Sequence, residues 1–287
     1  MLKRIPPYWI LMAPGLLIFL LVFIIPVARL AVLSFRKNTP SGIAEEGFVW
    51  DHYIKFFTDP HYLGILGRTL SISLIVSLIC LVLGYSLAYG ASRAPQNRKI
   101  VLLMLIALPL LTSATIRNFG WIIILGRNGL INKALMGLGI IEEPLKLLYT
   151  ETGVVIALVH VLLPYMVLVL FSVLEGLDRN LESAAANLGA SRPKVFFLVT
   201  LPLSMPGIVA GTLLVFSICI SFFVTPALIG GPRVQLMATE IYNQTINLLN
   251  WPFASALSMI LLVTVLIVTT LYNRALSRSK TGGARLI

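Results

Sequence analysis

Several polar and aromatic side chains stand inside long apolar stretches of the sequence, where they can line a route for a solute. Arg117 is followed one helical turn later by Trp121, and His160 is followed by Tyr165. A further stretch carries hydroxyl and aromatic side chains, namely Ser217, Ser221, Phe222 and Thr225. Because positions four apart share one face of a helix, the three hydroxyls are predicted to face the same way. Polar groups in an apolar environment are costly, so these residues are the candidates for a translocation path.

The same residues also allow a purely structural interpretation. Arg117 lies about two turns from the outer end of its stretch, so its guanidinium can extend to the interface. A neutral His160 can hydrogen-bond a neighbouring helix, and serine and threonine hydroxyls can bond to carbonyls of their own helix. The sequence leaves both interpretations open.

No set of residues has the spacing of a catalytic or metal site. The sequence contains no recognisable arrangement of serine, histidine and carboxylate, which argues against a membrane enzyme of the rhomboid or phosphatase kind. It also lacks a G-x-x-x-x-G-K-S/T phosphate loop. Cys80 and Cys219 both lie in apolar stretches and are predicted to be packing residues. We therefore expect no catalytic residue, no metal ion and no cofactor in this chain.

The elements that carry these residues are predicted to cross a membrane. Of the 287 residues, 58% are hydrophobic and 11% are charged, and the mean hydropathy is +0.94. A helix needs about 20 apolar residues to cross about 30 Å of hydrocarbon. Six stretches satisfy this requirement, at residues 10–33, 69–89, 100–125, 153–174, 207–229 and 253–272. We expect an all-α integral membrane protein with about six transmembrane helices, forming one domain over residues 1–287.

The distribution of charge predicts the orientation of the chain. Segments on one side of the predicted spans carry twelve basic and three acidic residues, and those on the other side carry eight of each. Basic residues concentrate on the cytoplasmic side, so both termini are predicted to be cytoplasmic. The stretch after Lys3 and Arg4 is longer than a signal-peptide core, and we expect it to be retained as a helix. The net charge of +11 is explained by topology, and no module for nucleic acid is present.

The largest cytoplasmic segment, residues 175–206, predicts a docking surface. Residues 183–188 are rich in alanine, and Gly189 is predicted to end their helix. Ser191 suits the N-cap of a second helix, and Pro193 suits its first turn. Small side chains let another protein's backbone approach closely. The pattern therefore predicts a helix, a glycine turn and a second helix whose tip inserts into a groove of a partner.

Close helix packing is predicted just after this segment. Gly207 and Gly211 stand four residues apart at the start of the fifth span. Small residues at this spacing allow two helices to approach closely in a membrane.

Two long segments between the spans are also predicted to contain structure. Outer residues 34–68 predict an ordered cap, and residues 126–150 predict a short interfacial helix.

The cytoplasmic segment resembles the signature of the permease subunits of ATP-binding-cassette (ABC) importers. That signature is Glu-Ala-Ala, three residues, Gly, nine residues and Ile-x-Leu-Pro. Its matching positions here are Ala184, Ala185, Gly189, Leu201 and Pro202. Val199 replaces the isoleucine, and Ser183 stands where the glutamate belongs, with Glu182 one residue earlier. Either Glu182 or Ser183 can therefore take the role of the glutamate.

The resemblance implies a type I importer fold in the bacterial inner membrane, with the segment forming a coupling helix in a cleft of a cytoplasmic ATPase. The residues that would contact or support this coupling are Glu182, Ser183, Ala184, Ala185, Leu188, Gly189, Ala190, Ser191, Leu201 and Pro202. The implied partners are two ATP-binding subunits, a second and different permease, an external solute-binding protein and membrane lipid. ATP would be hydrolysed by the partner subunits.

The resemblance implies a polyamine such as spermidine or putrescine as the substrate, with a second chemical class as the alternative. "HVLLPYMVLVLFSVLEGLD", "VTPALIGGPR" and "LLNWPFASAL" resemble the spermidine and putrescine branch of these permeases. No predicted span contains Asp or Glu, so a polyamine would need acids from the partner permease and aromatic surface from Trp121, Tyr165 and Phe222. An anionic or zwitterionic solute, such as an amino-acid derivative or a phosphonate, would instead lie near Arg117. A secondary transporter is a further alternative, but it leaves the signature segment unexplained.

Overall fold

The computed structural model describes residues 7–38, 45 and 47–283. Lys3, Arg4, Glu46 and Arg285, which contribute to the predicted topology, lie outside the described residues. The α-helices of the described part are α1 Pro7–Phe19, α2 Ile25–Leu33, α3 Asp51–Thr58, α4 Pro60–Arg93, α5 Gln96–Ala107, α6 Ala114–Leu125, α7 Leu130–Gly137, α8 Glu151–Glu175, α9 Arg179–Asn187, α10 Arg192–Val195, α11 Leu201–Leu203, α12 Met205–Ile220, α13 Met237–Tyr242 and α14 Trp251–Gly283. The all-α prediction is confirmed.

The helices provide the predicted number of membrane spans. Four are long and apolar enough to cross a membrane alone: Pro14–Leu33, Pro60–Arg93, Glu151–Glu175 and Trp251–Arg274. Two bent helix pairs bring the number to six when each pair counts as one span. The prediction of about six spans is confirmed. The bends within the two helix pairs are not predicted by the sequence.

The third span is not one continuous helix. Its two parts, Gln96–Leu111 and Ala114–Gly137, are bent by 95°. The first part ends in a 3₁₀ turn at Leu108–Leu111, and Thr112 then takes an extended conformation. Pro109 stands in the first turn of this tighter segment, where its missing N–H is tolerated. The single helix expected over residues 100–125 is therefore wrong.

The fifth span also breaks. Helix α12 ends at Ile220, and a wider π-helical turn forms at Pro226–Gly230. Pro226 stands in the first turn of that segment, a position where a helix accepts proline. Ser217 lies on α12, whereas Thr225 lies beyond the break. The prediction that Ser217, Ser221 and Thr225 share one helix face is therefore wrong.

The two long segments between spans both contain helices. Residues 34–68 include α3, and α4 already begins at Pro60, well before the predicted start of the second span. Residues 126–150 include α7, which confirms the short helix predicted there.

The chain divides into two compact units, residues 1–63 with 240–264, and residues 64–239 with 265–287. The prediction of a single domain stays a prediction. In the smaller unit, the rings of Tyr62 and Phe253 pack edge to face at 4.9 Å, with Phe56 fully buried. In the larger unit, α8 supplies much of the core.

Close packing against α8 depends on two glycines of α12. A Cβ at Gly207 would lie 2.9 Å from Val173 Cβ, and one at Gly211 would lie 2.7 Å from Met166 Sδ. Both distances are shorter than carbon and sulfur atoms allow without a shift. The predicted close packing at Gly207 and Gly211 is confirmed.

Candidate functional site

Residues 175–206 form the helix, glycine turn and second helix that the sequence predicts. Helix α9 begins after Asp178, whose side chain accepts a hydrogen bond from Asn180 N at 2.9 Å. It ends before Gly189, which has a φ of +86°, a left-handed conformation that favours glycine. Ala190 N donates to Ala185 O at 3.1 Å and closes the turn. Helix α10 then begins at Arg192, directly after Ser191.

The tip of this helix–turn–helix is open and has one large apolar side chain. Leu188 is 90% exposed, and a Cβ at Gly189 would meet no atom within 4 Å. Ser183, Ala184 and Ser191 are also exposed. Leu201, by contrast, packs against the hydrophobic core, so it supports the segment from behind. An exposed leucine among small residues is suited to contact with an apolar groove.

The base of the segment is anchored to the end of α4. Glu182 forms an ion pair with Arg93 and accepts a hydrogen bond from Thr200 Oγ1 at 2.7 Å. Arg179 donates to Ser92 O at 2.8 Å. These contacts fix the start of α9 against the end of α4, and they leave the tip free.

Glu182 and Ser183 differ in what they contact. Glu182 turns inward to Arg93, whereas the Ser183 hydroxyl donates back to Arg179 O at 3.2 Å and is exposed. A second ion pair, between Lys99 Nζ and Glu175 Oε1 at 2.6 Å, lies near the end of α8. Sequence reasoning missed Arg93 and Lys99 as anchors, because their position next to a span explained them as topology signals.

Two of the predicted path residues meet across helices. Trp121 Nε1 of α6 donates to His160 Nδ1 of α8 at 3.2 Å, and the two rings lie edge to face at 5.4 Å. This contact supports the interpretation of His160 as a neutral partner of a neighbouring helix. Trp121, Tyr165 and Phe222 are partly buried and pack against the core, so each keeps part of its aromatic surface uncovered.

Arg117 has a specific partner at the break of the third span. Its Nη1 donates to the carbonyl of Pro109, which lies on the other side of the bend. The 95° bend removes the regular helical bonding there, and the guanidinium satisfies one of the exposed carbonyls. Its Nε is buried without a hydrogen-bond partner among the described residues. The carbonyl of Pro109 at the bend therefore gives Arg117 a hydrogen-bond partner within the apolar stretch.

The buried residue beside Arg117 was missed. Asn118 is fully buried, and its Oδ1 accepts a hydrogen bond from Thr225 Oγ1 at 3.1 Å. Its Nδ2 has no partner in the described part of the chain. An asparagine in an apolar run was the available signal. Ser221 Oγ, in contrast, is within bonding distance of the Ser217 and Ile218 carbonyls of its own helix, at 3.2 and 3.1 Å, as the structural interpretation predicts.

Comparison with known proteins identifies the family. The model described as "Binding-protein-dependent transport system inner membrane component" matches residues 5–281. The spermidine/putrescine transport system permease protein PotB of Escherichia coli (strain K12) is 36% identical over 258 residues, covering 90% of this chain and 94% of the relative.

Two solved structures share the fold. A bacterial ABC transporter involved in the import of the acidic polysaccharide alginate has a TM-score of 0.79 at 19% identity, covering 96% of this chain and 98% of that chain. A bacterial alginate transporter in complex with an alginate pentasaccharide-bound periplasmic protein has a TM-score of 0.74 at 16% identity, covering 95% and 94%. The chain therefore belongs to the binding-protein-dependent transport system inner membrane components, the non-enzymatic, multi-pass permease subunits of ABC importers.

Proposed function

We propose that this permease carries a polyamine, such as spermidine or putrescine, into the bacterial cytoplasm. The relative PotB, with 36% identity over 90% of this chain, supports this substrate class. The assembly that we infer for this chain includes a second, different permease subunit. Arg117 gave the main reason to consider an anionic solute, and its bond to the Pro109 carbonyl supplies a structural role instead.

Coupling to ATP hydrolysis is assigned to the segment at residues 175–206. The observation that carries this assignment is the contrast between its exposed tip and its anchored base. Leu188 and Gly189 are open to a partner, while Glu182 is held by Arg93 and Thr200. A force applied to the tip by an ATPase therefore reaches α4 directly. Two ATP-binding subunits hydrolyse ATP, and this chain needs no cofactor.

A solute-binding protein delivers the polyamine to the outer face, and both termini are cytoplasmic. The alginate transporter in complex with a periplasmic protein supports delivery by a binding protein for this fold. Inside the permease, Trp121, Tyr165 and Phe222 offer partly open aromatic surface to an ammonium group. Asn118 and Thr225 add a buried polar pair nearby on α6 and after α12. His160, Ser217 and Ser221 serve the packing of their helices.

Reconstitution of the complete importer tests this function. The chain, its partner permease, the ATPases and the cognate binding protein are placed in proteoliposomes, and uptake of labelled spermidine is measured with and without ATP. We expect ATP-dependent uptake that unlabelled putrescine reduces. A binding protein that prefers a carboxylate or a phosphonate to both polyamines would contradict the substrate assignment. Omission of the binding protein is the control for delivery.

A further inference from the structure

Glu240 is the one buried carboxylate in the described part of the chain. It lies on α13 and is 3% exposed, whereas every other described acidic residue is half-buried or exposed. Its Oε1 accepts a hydrogen bond from Gln244 Nε2 at 2.7 Å, and Gln244 is itself 4% exposed. The ion pairs among the described residues use other acids, namely Glu151, Glu175 and Glu182. Within that part of the chain, Glu240 therefore has a neutral donor but no basic side chain within ion-pair distance.

A buried carboxylate without a positive partner is costly. Removing an ionised group from water is offset only when an opposite charge and hydrogen bonds replace the water. Gln244 supplies a hydrogen bond and no charge. It lies in the π-helical segment Asn243–Asn247, a wide and rare turn that occurs frequently at functional sites. Among the described residues, no basic side chain therefore neutralises this carboxylate.

The compact unit that contains Glu240 also contains an aromatic pair in contact with an ammonium group. Tyr62 packs on Phe253, and the Lys55 ammonium lies 4.7 Å from the Phe253 ring centroid and 5.5 Å from that of Tyr62. The ring pair thus already accommodates a primary ammonium through cation–π contact. A buried carboxylate that accepts a hydrogen bond from a neutral amide is suited to an alkylammonium ion.

We propose that Glu240, supported by Gln244, binds a protonated amine of the polyamine during transport. The inference rests on the polyamine import proposed above. It resolves the shortage of acids in the sequence, because Glu240 lies outside every predicted span and yet is buried. An ammonium ion would donate charge-assisted hydrogen bonds to the carboxylate, the strong kind in a protein interior.

Binding of labelled spermidine tests this site directly. The assembled importer, without its binding protein, is placed in lipid nanodiscs, and spermidine affinity is measured for the wild type, Glu240→Gln, Glu240→Asp and Glu142→Gln. We expect Glu240→Gln to weaken binding by about tenfold or more, because a hydrogen bond to a charged group contributes roughly that factor. Glu240→Asp, which keeps the charge, should recover part of the affinity. Glu142→Gln makes the same charge change at an exposed carboxylate and should bind as the wild type does.

The outcomes separate this site from the function on which it rests. Wild-type complexes that take up neither spermidine nor putrescine would contradict the polyamine assignment itself. A wild type that transports spermidine, with a Glu240→Gln variant that binds it equally well, would overturn the site alone. Equal losses in Glu240→Gln and Glu240→Asp, at normal complex assembly and basal ATPase rate, would also overturn it, because the charge would then be irrelevant.

Discussion

Gly189 is favoured by its backbone conformation, and the space around it would admit a larger side chain. Its φ is +86°, and a Cβ at this position would meet no atom within 4 Å. Replacement by valine should strain the turn by about 1 to 2 kcal/mol, because side chains with a Cβ disfavour this region. We expect Gly189→Val to reach normal membrane levels and to lose transport and substrate-stimulated ATPase activity together. Gly189→Asn, which tolerates the left-handed conformation, should retain most of both. Full coupling in the valine variant would show that the turn is only a connector.

The ion pair of Glu182 with Arg93 should matter more for stability than a comparable pair at the surface. Its side chains are 21% and 23% exposed, whereas those of Glu151 and Arg68 are 57% and 37% exposed. Glu182→Gln should lower the free energy of unfolding by about 1 to 3 kcal/mol, because Arg93 loses a charged partner. Glu151→Gln, the matched control, should cost about 1 kcal/mol or less. Thermal unfolding of the purified importer measures both, and equal shifts would contradict the expectation.

The sequence predicts the turn at Gly189 but not the ion-pair partner of Glu182, because only the turn depends on neighbouring residues in the chain. Gly189 follows an alanine-rich run and precedes a serine and a proline, so its turn is visible in a window of about ten residues. The partner of Glu182 is 89 positions away in the chain. No local pattern connects Glu182 with Arg93, and a basic residue at the end of a span has a sufficient explanation in topology.

The hydropathy of the sequence predicts where the spans lie, but it does not predict where a span is interrupted. Apolar runs of sufficient length place all six spans, because lipid leaves a backbone no other way to satisfy its polar groups. Proline does not distinguish a broken span from a whole one. Pro164 lies inside the continuous helix α8, while Pro109 and Pro226 stand next to breaks. The difference depends on neighbouring helices, such as the α6 side chain that bonds to the Pro109 carbonyl.

The contact between α8 and α12 predicts a steric effect at Gly211. A leucine there would collide with Met166, whose Sδ would lie 2.7 Å from the new Cβ. Overpacking of this kind costs about 1 to 3 kcal/mol. We expect Gly211→Leu to reduce the thermal stability of the purified importer and its level in the membrane. Gly120→Leu on α6 has no atom within 4 Å of the new Cβ and should be tolerated. Similar losses in both variants would contradict the packing argument.

The orientation of the whole molecule predicts which residues react from each side. Leu188 and Glu142 are both exposed, on segments assigned to opposite faces, and the native Cys80 and Cys219 are buried. In a membrane-impermeant thiol assay, Leu188→Cys should react in inside-out vesicles and Glu142→Cys in right-side-out vesicles. The native chain is the control and should remain unlabelled. The opposite pattern would invert the topology and remove the coupling segment from the cytoplasm.

Helix α4 has a mechanical consequence beyond its role as a span. Its 34 residues extend about 51 Å at 1.5 Å per residue, well beyond the roughly 30 Å thickness of the hydrocarbon layer. Arg93 at one end is fixed to the coupling segment, and Arg68, 25 residues earlier, is bonded to Glu151 at the start of α8. Because no proline follows its first position, we expect α4 to resist bending. In the importer proposed above, a displacement of the coupling segment would therefore be transmitted along α4 to the start of α8 with little loss to bending.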